Sequence, residues 1–149
     1  MTIRRSLDGD RPLLLDLWER SVRLTHTFLS ESDIATLKPL VATALTSDSL
    51  EWWVAATETG EPIAFLGYST GTIDALFVDP RYRGGGVGTR LVAHAQRLAG
   101  GALRVDVNEQ NDAARGFYAS LGFETVGRSP TDDGGRPFPL IHMMRPAPR

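Results

Sequence analysis

Arg81-Tyr82-Arg83-Gly84-Gly85-Gly86-Val87-Gly88-Thr89-Arg90 is the stretch on which the fold of this chain turns. Glycine lacks a β-carbon, so its backbone N–H groups can approach a ligand closely. The run opens a segment, Thr89–Ala99, in which Val87, Leu91, Ala95 and Leu98 recur at helical spacing. A helix begun this way offers unpaired N–H groups and the positive end of its dipole, and both attract phosphate. Arg83 and Arg90 add charge. Two common phosphate loops are excluded on detail. The nucleotide-hydrolase loop needs a lysine and then Ser or Thr after its last glycine, but Thr89 follows Gly88 directly. The dinucleotide fingerprint needs Gly-x-Gly-x-x-Gly, and after Gly84 and Gly86 the third place is Thr89.

Upstream of the loop the spacing predicts strands in quick succession: Glu51–Thr57, Ile63–Tyr68 and Thr72–Val78, the last ending at Asp79-Pro80. Their short connections imply antiparallel pairing, because a parallel pair needs a long crossover. Before them come a weak opening strand at Thr2–Arg5, a helix carrying Leu14, Leu17, Trp18 and Val22, and a second helix between Ser32 and Ala44 capped from Ser30–Asp33. Downstream, Leu103, Val105 and Val107 alternate as in a strand with one buried face. Asn111 caps a helix with Ala114, Phe117 and Leu121 on one stripe, stopped by Gly122. Phe123–Arg128 and Phe138–Met144 read as a closing hairpin around the loop Ser129–Pro137.

This order, β-α-α-β-β-β-α-β-α-β-β, describes one α/β (α+β) domain over residues 1–149. Its mixed, mostly antiparallel sheet has six to seven strands flanked by about four helices. The glycine loop and its helix form the crossover from the fourth strand to the fifth. Ligands favour the crevice beyond strand carboxyl ends, which puts the site between Val78 and Asn108.

Composition narrows the chemistry. The absence of cysteine removes disulfides, thiol nucleophiles and zinc–thiolate sites. The three histidines, His26, His94 and His142, lie far apart, so no metal site is expected. A net charge of -2 and a pI near 5.9 argue against nucleic acid as partner. No apolar run approaches the ~20 residues of a membrane span, and no secretory signal core follows Met1, so no membrane association and a cytoplasmic location are expected.

Arg83-Gly84-Gly85-Gly86-Val87-Gly88 fits the pattern Arg/Gln-x-x-Gly-x-Gly/Ala, and here the sequence resembles the GNAT superfamily of N-acetyltransferases. The predicted order of elements is also that superfamily's order. A second motif agrees: Asn111 to Phe123 is similar to the superfamily's fourth-helix pattern, Asn-x-x-Ala-x-x-Phe-Tyr-x-x-x-Gly-Phe. The resemblance implies a sheet splayed between the fourth and fifth strands and acetyl-coenzyme A as cosubstrate. It implies that Arg83, Gly84, Gly85, Gly86, Val87, Gly88 and Thr89 wrap the pyrophosphate. Leu76, Phe77 and Val78 are implied contacts of the pantetheine arm and thioester carbonyl, with Asn111 touching the pantetheine and Tyr118 acting as general acid. The Val78 N–H is placed to stabilise a developing oxyanion.

A phenol of ordinary pKa ~10 can donate to a departing thiolate whose pKa is ~8.5. With no cysteine to carry the acyl group, direct transfer in a ternary complex is expected. Asp74, read as sharing a face with Leu76 and Val78, is one candidate base for the attacking amine; His26 and His142 are others. His94 reads as surface. The segments Trp18–Leu29 and Asp132–Leu140 are similar to the YjaB-like branch of bacterial acetyltransferases. There His26, Phe28, Trp52, Trp53 and His142 are candidates to line an acceptor pocket, although both tryptophans suit the core better. Asp132-Asp133 offers attraction to a cationic acceptor. The expected partners are acetyl-coenzyme A and a primary amine, on a small molecule or a peptide, and the expected assembly is a monomer or homodimer. The alternative from another class is a non-catalytic acetyl-coenzyme A sensor.

Overall fold

A computed structural model describes residues 1–148. Its elements follow the expected order: β1 (Thr2–Arg5), α1 (Arg11–Thr25), α2 (Glu31–Ala44), β2 (Glu51–Ala56), β3 (Pro62–Ser69), β4 (Thr72–Val78), α3 (Val87–Ala99), β5 (Leu103–Asn108), α4 (Asp112–Ser120), β6 (Glu124–Ser129) and β7 (Leu140–Arg145). Local chemistry sets several boundaries. Ser30 and Asp33 exchange hydrogen bonds of 3.0 and 2.9 Å with each other's backbone N–H, a capping box that starts α2. Asn111 Oδ1 accepts from the Ala114 N–H at 3.0 Å and starts α4. The closing hairpin begins one residue later than expected at β6, because the Phe123 N–H turns back to the Tyr118 carbonyl and its ring is buried beneath α4. β7 begins at Leu140 rather than Phe138, since Pro139 has no N–H for a ladder.

Seven strands form one sheet in the order β1-β2-β3-β4-β5-β7-β6. Only β4 and β5 are parallel, paired through Thr72↔Arg104 and Ile73↔Val105. Beyond Ile73 the two strands part, and the opening faces the carboxyl end of β4. A core lies on each face of the sheet. Leu91, Val92 and Ala95 of α3 pack with Val105, Tyr118 and Met143 on one side. Leu14, Leu17 and Trp18 of α1 pack with Ile34, Val54 and Phe65 on the other.

A bulge in β4 decides which face its residues serve. Gly67 pairs with Ala75 and Tyr68 with Ile73, so Asp74 is the extra, unpaired residue. Ile73, Leu76 and Val78 consequently all turn to the α3 and α4 side, while Ala75 and Phe77 turn to α1 and α2. Simple alternation puts Asp74 on the face of Leu76 and Val78; the bulge overturns that and turns its carboxylate to the α1 side. His94 is also corrected. It is half-buried and meets Trp53 edge-on at 4.2 Å between ring centroids, with its Nε2 buried and unpartnered. No described helix is long and apolar enough to cross a membrane.

Candidate active site

The parted strands, the glycine loop and the amino end of α4 enclose a cleft of about 460 Å³. The Asp79 N–H donates to the Ile63 carbonyl at 2.8 Å, which makes Ala64 and Val78 a non-hydrogen-bonded pair. By alternation, the peptide N–H and C=O of Leu76 and Val78 point away from β3, into the gap left by β5. On the opposite wall, no protein group of the described residues accepts from the N–H groups of Gly84 through Thr89. Gly84 and Gly86 both adopt φ of +81°, in the left-handed region, and a β-carbon at either would meet nothing within 4 Å. The run therefore holds six successive main-chain donors at the positive end of α3 that have no acceptor among the described residues. Gly88 allows a different closeness: a β-carbon there would sit 3.2 Å from Phe117 Cζ and 3.6 Å from Val78 Cγ2, so α3 packs tightly on α4 and β4.

Leu76, Phe77, Val78, Arg83, Gly84, Gly86, Val87, Gly88, Thr89, Asn111 and Tyr118 all line this cleft. Gly85 sits in the same turn without lining it. Tyr118 is only 5% exposed and is held edge-on between Phe117 and Phe123, at 5.0 and 5.2 Å. Burial pushes its phenol well above the usual tyrosine range, so it stays protonated near neutrality. No described protein group hydrogen-bonds its hydroxyl.

Sequence reasoning assigned the end of α1 to an acceptor wall alone, but Ser21, Thr25 and His26 also line the first cleft. The four-residue spacing of Ser21 and Thr25 on one helix face was the available signal. The Thr25 hydroxyl donates to the Ser21 carbonyl at 2.9 Å, which leaves its oxygen to accept from His26 Nδ1 at 2.9 Å. His26 Nε2 then accepts from Asn111 Nδ2 at 3.3 Å. This chain fixes one neutral tautomer, and burial lowers the imidazole pKa to about 4.

Asp79 is fully buried and was not singled out from sequence. It accepts from Arg20 Nη2 of α1 at 3.0 Å, and from the Arg81 N–H and guanidinium at 3.0, 3.2 and 2.8 Å. The Arg81 hydrogen bonds, then that of Arg20, hold its carboxyl at about 2. Asp79 thereby ties α1 to the start of the glycine loop.

A second cleft of about 310 Å³ lies on the other side of β4, and the two share His26 and Phe77. Phe28 and Phe138 wall it at 5.9 Å from one another, and Asp74, Asp106, Asp132 and Asp133 reach it. Burial raises the Asp74 pKa, the Ser69 hydroxyl at 2.5 Å opposes this, and the nearby Asp106 and Asp133 add to it. Of the expected acceptor residues, His26, Phe28 and Asp74 meet here. Trp52 does not: it is buried against Phe65, its Nε1 donates to the Ala44 carbonyl, and Gly67 makes room for its ring. His142 stands outside both clefts, bonded to Asp106 at 2.6 Å and Ser129 at 2.7 Å. Among the described residues, no group of three His, Asp or Glu side chains is arranged to hold a metal.

Residues 14–123 match the profile of the acetyltransferase (GNAT) family. Peptidyl-lysine N-acetyltransferase YjaB of Salmonella typhimurium is 45% identical over 146 residues, spanning 98% of this chain and 99% of that protein. Its counterpart in Escherichia coli is 44% identical over 143 residues, spanning 96% and 95%. The solution structure of apo YjaB from E. coli superposes with a TM-score of 0.89 at 42% identity, covering 96% of this chain and 95% of that one. A PaiA N-acetyltransferase from Thermoplasma acidophilum, solved with coenzyme A, shares the fold at 18% identity, with a TM-score of 0.76 over 97% and 98% of the two chains. Since the matched span runs from the first turn of α1 to the residue that closes α4, and takes in β4 and the whole glycine loop, the chain belongs to the acetyltransferase (GNAT) family of enzymes.

Proposed function

We propose that this enzyme moves an acetyl group from acetyl-coenzyme A to the ε-amine of a peptidyl lysine, directly and with both substrates bound. The observation that carries the cosubstrate is the set of unpartnered N–H groups from Gly84 to Thr89 at the mouth of a cleft that ends at Tyr118. Such a set suits a pyrophosphate, and the free peptide edge of Leu76 and Val78 suits an extended amide-bearing arm. The lysine acceptor is supported by the names of the YjaB relatives and by the acidic second cleft.

The two clefts divide the proton work. A lysine amine is neutral in less than about one part in a thousand near pH 7, a cost of ~4–5 kcal/mol. Asp74, raised by burial on the acceptor side, takes that proton directly or through water. His26 does not, because its Nε2 already accepts from Asn111, its Nδ1 is committed to Thr25, and burial disfavours the imidazolium that taking the proton would create. Bound acetyl-coenzyme A supplies the activated acyl carbon and a thiolate leaving group. As the nitrogen–carbon bond forms and the carbon–sulfur bond breaks, the Tyr118 hydroxyl donates its proton to the sulfur, and the second proton lost by the nitrogen returns through water to the phenolate.

The test is release of free thiol with lysine peptides as acceptors, alongside mass spectrometry of the peptides. A gain of 42 Da on lysine, dependent on acetyl-coenzyme A, is expected. Thiol release without peptide modification, or modification of the N-terminal amine alone, contradicts the reading.

A further inference from the structure

The second cleft carries four carboxylates, Asp74, Asp106, Asp132 and Asp133, against the one guanidinium of Arg136. They are not equivalent. Asp132 accepts from the Gly134 and Arg136 N–H groups at 2.9 and 2.8 Å and pairs with Arg136 Nε at 2.8 Å. Its charge is therefore committed to folding the loop and to neutralising Arg136. Asp106 faces His142 at 2.6 Å, and Asp74 is bonded by Ser69 and lies nearest the bulge. Asp133 is exposed, with no ion pair or hydrogen bond among the described residues. The loop that Asp132 stiffens thus presents Asp133 at the rim of a cavity walled by Phe28 and Phe138, whose inner end reaches the cofactor cleft at His26 and Phe77.

Aromatic walls at Phe28 and Phe138 suit the alkyl stem of a lysine, while the exposed carboxylate of Asp133 lies where residues flanking that lysine would pass. Resting on the peptidyl-lysine reading above, we infer that Asp133 selects acceptor lysines flanked by arginine or lysine, with Asp106 as its partner at the rim. The walls accept the methylene stem of the reacting lysine, and the rim attracts the neighbouring cation. Because the rim is open to water, the attraction is modest and screened by salt.

The experiment compares two lysine peptides of equal length, one with two flanking arginines and one with two flanking glutamines, at saturating acetyl-coenzyme A. Binding of fluorescein-labelled versions, read by anisotropy, is measured separately from turnover. The arginine peptide is expected to show about three- to tenfold higher kcat/KM at low ionic strength, carried mainly by KM, and a smaller ratio at 0.5 M salt. Asp133→Asn is expected to pull the ratio toward one, and Asp133→Lys to favour a glutamate-flanked peptide instead. Equal kcat/KM and equal binding for the two peptides in wild type overturn the inference while leaving lysine acetylation intact. A binding preference that Asp133→Asn abolishes, without acetylation of either peptide, supports the selectivity and contradicts the peptidyl-lysine reaction. A preference unchanged in both Asp133 variants overturns the role of Asp133.

Discussion

His26 Nε2 and Asn111 Nδ2 lie 3.3 Å apart, a hydrogen bond that joins the end of α1 to the N-cap of α4 in the lining of the cofactor cleft. With the Ser21–Thr25–His26 chain behind it, this contact fixes His26 as a neutral wall between the two clefts. The proposed acid and base, Tyr118 and Asp74, line the two clefts on either side of it.

Tyr118→Phe removes one hydroxyl and keeps the ring that packs on Phe117 and Phe123. Acetyl-coenzyme A binding should persist, while kcat should fall by about 10²-fold or more, the usual scale of a general acid. Calorimetric titration beside steady-state kinetics separates the two quantities. An unchanged kcat removes Tyr118 from the chemistry.

Burial of neutral His26 links stability to pH. The unfolded imidazole titrates at the ordinary value of 6.5 and the folded one at about 4, so the unfolded chain binds more protons between those values. The stabilisation is complete above pH 6.5 and is lost as pH falls through about 4. His94 is lowered in the same direction by burial and then by Arg97. Unfolding free energies from urea titrations at pH 7.5 and 5.0 should differ by up to about 2 kcal/mol from His26. His26→Leu should flatten that dependence, and an equally steep one in the variant contradicts the assignment.

Gly86 holds φ of +81° at the N-cap of α3. Gly86→Ala costs about 1–2 kcal/mol of backbone strain, or else rotates the peptide and misdirects the donors of the loop. Either lowered thermal stability or a higher KM for acetyl-coenzyme A is expected, and circular dichroism melting with kinetics distinguishes them. A variant normal in both respects shows that the left-handed turn is dispensable.

Asp79→Asn keeps the shape but leaves the guanidinium groups of Arg20 and Arg81 without their shared carboxylate. Stability should fall by about 1–3 kcal/mol at pH 7. The difference from wild type should narrow as pH drops below 3.8 toward 2, because a lowered carboxylate pKa stabilises only above its unfolded value. A pH-independent difference points to packing rather than charge.

The strand and helix order was legible because glycines, prolines and capping residues sit where periodicity changes, as at Ser30, Asn111 and Gly122. The glycine loop was legible for the same reason, its backbone demanding residues without side chains. What escaped depends on three dimensions. The bulge at Asp74 is a single unpaired residue that alternation along β4 does not reveal. The Arg20–Asp79 tie joins residues 59 apart, and the His26–Asn111 bond joins residues 85 apart, distances at which no local pattern survives. Trp52 illustrates the reverse limit: an aromatic suits a pocket wall as well as a core, and its packing on Phe65, with room made by Gly67 of the neighbouring strand, is visible only in three dimensions.

The most direct test follows the backbone amides of Gly84 to Thr89 by two-dimensional proton–nitrogen NMR while coenzyme A is titrated in. Large, saturable shifts in those amides are expected, strongest toward the start of α3. Saturable binding that moves resonances elsewhere and leaves these six amides in place contradicts the account.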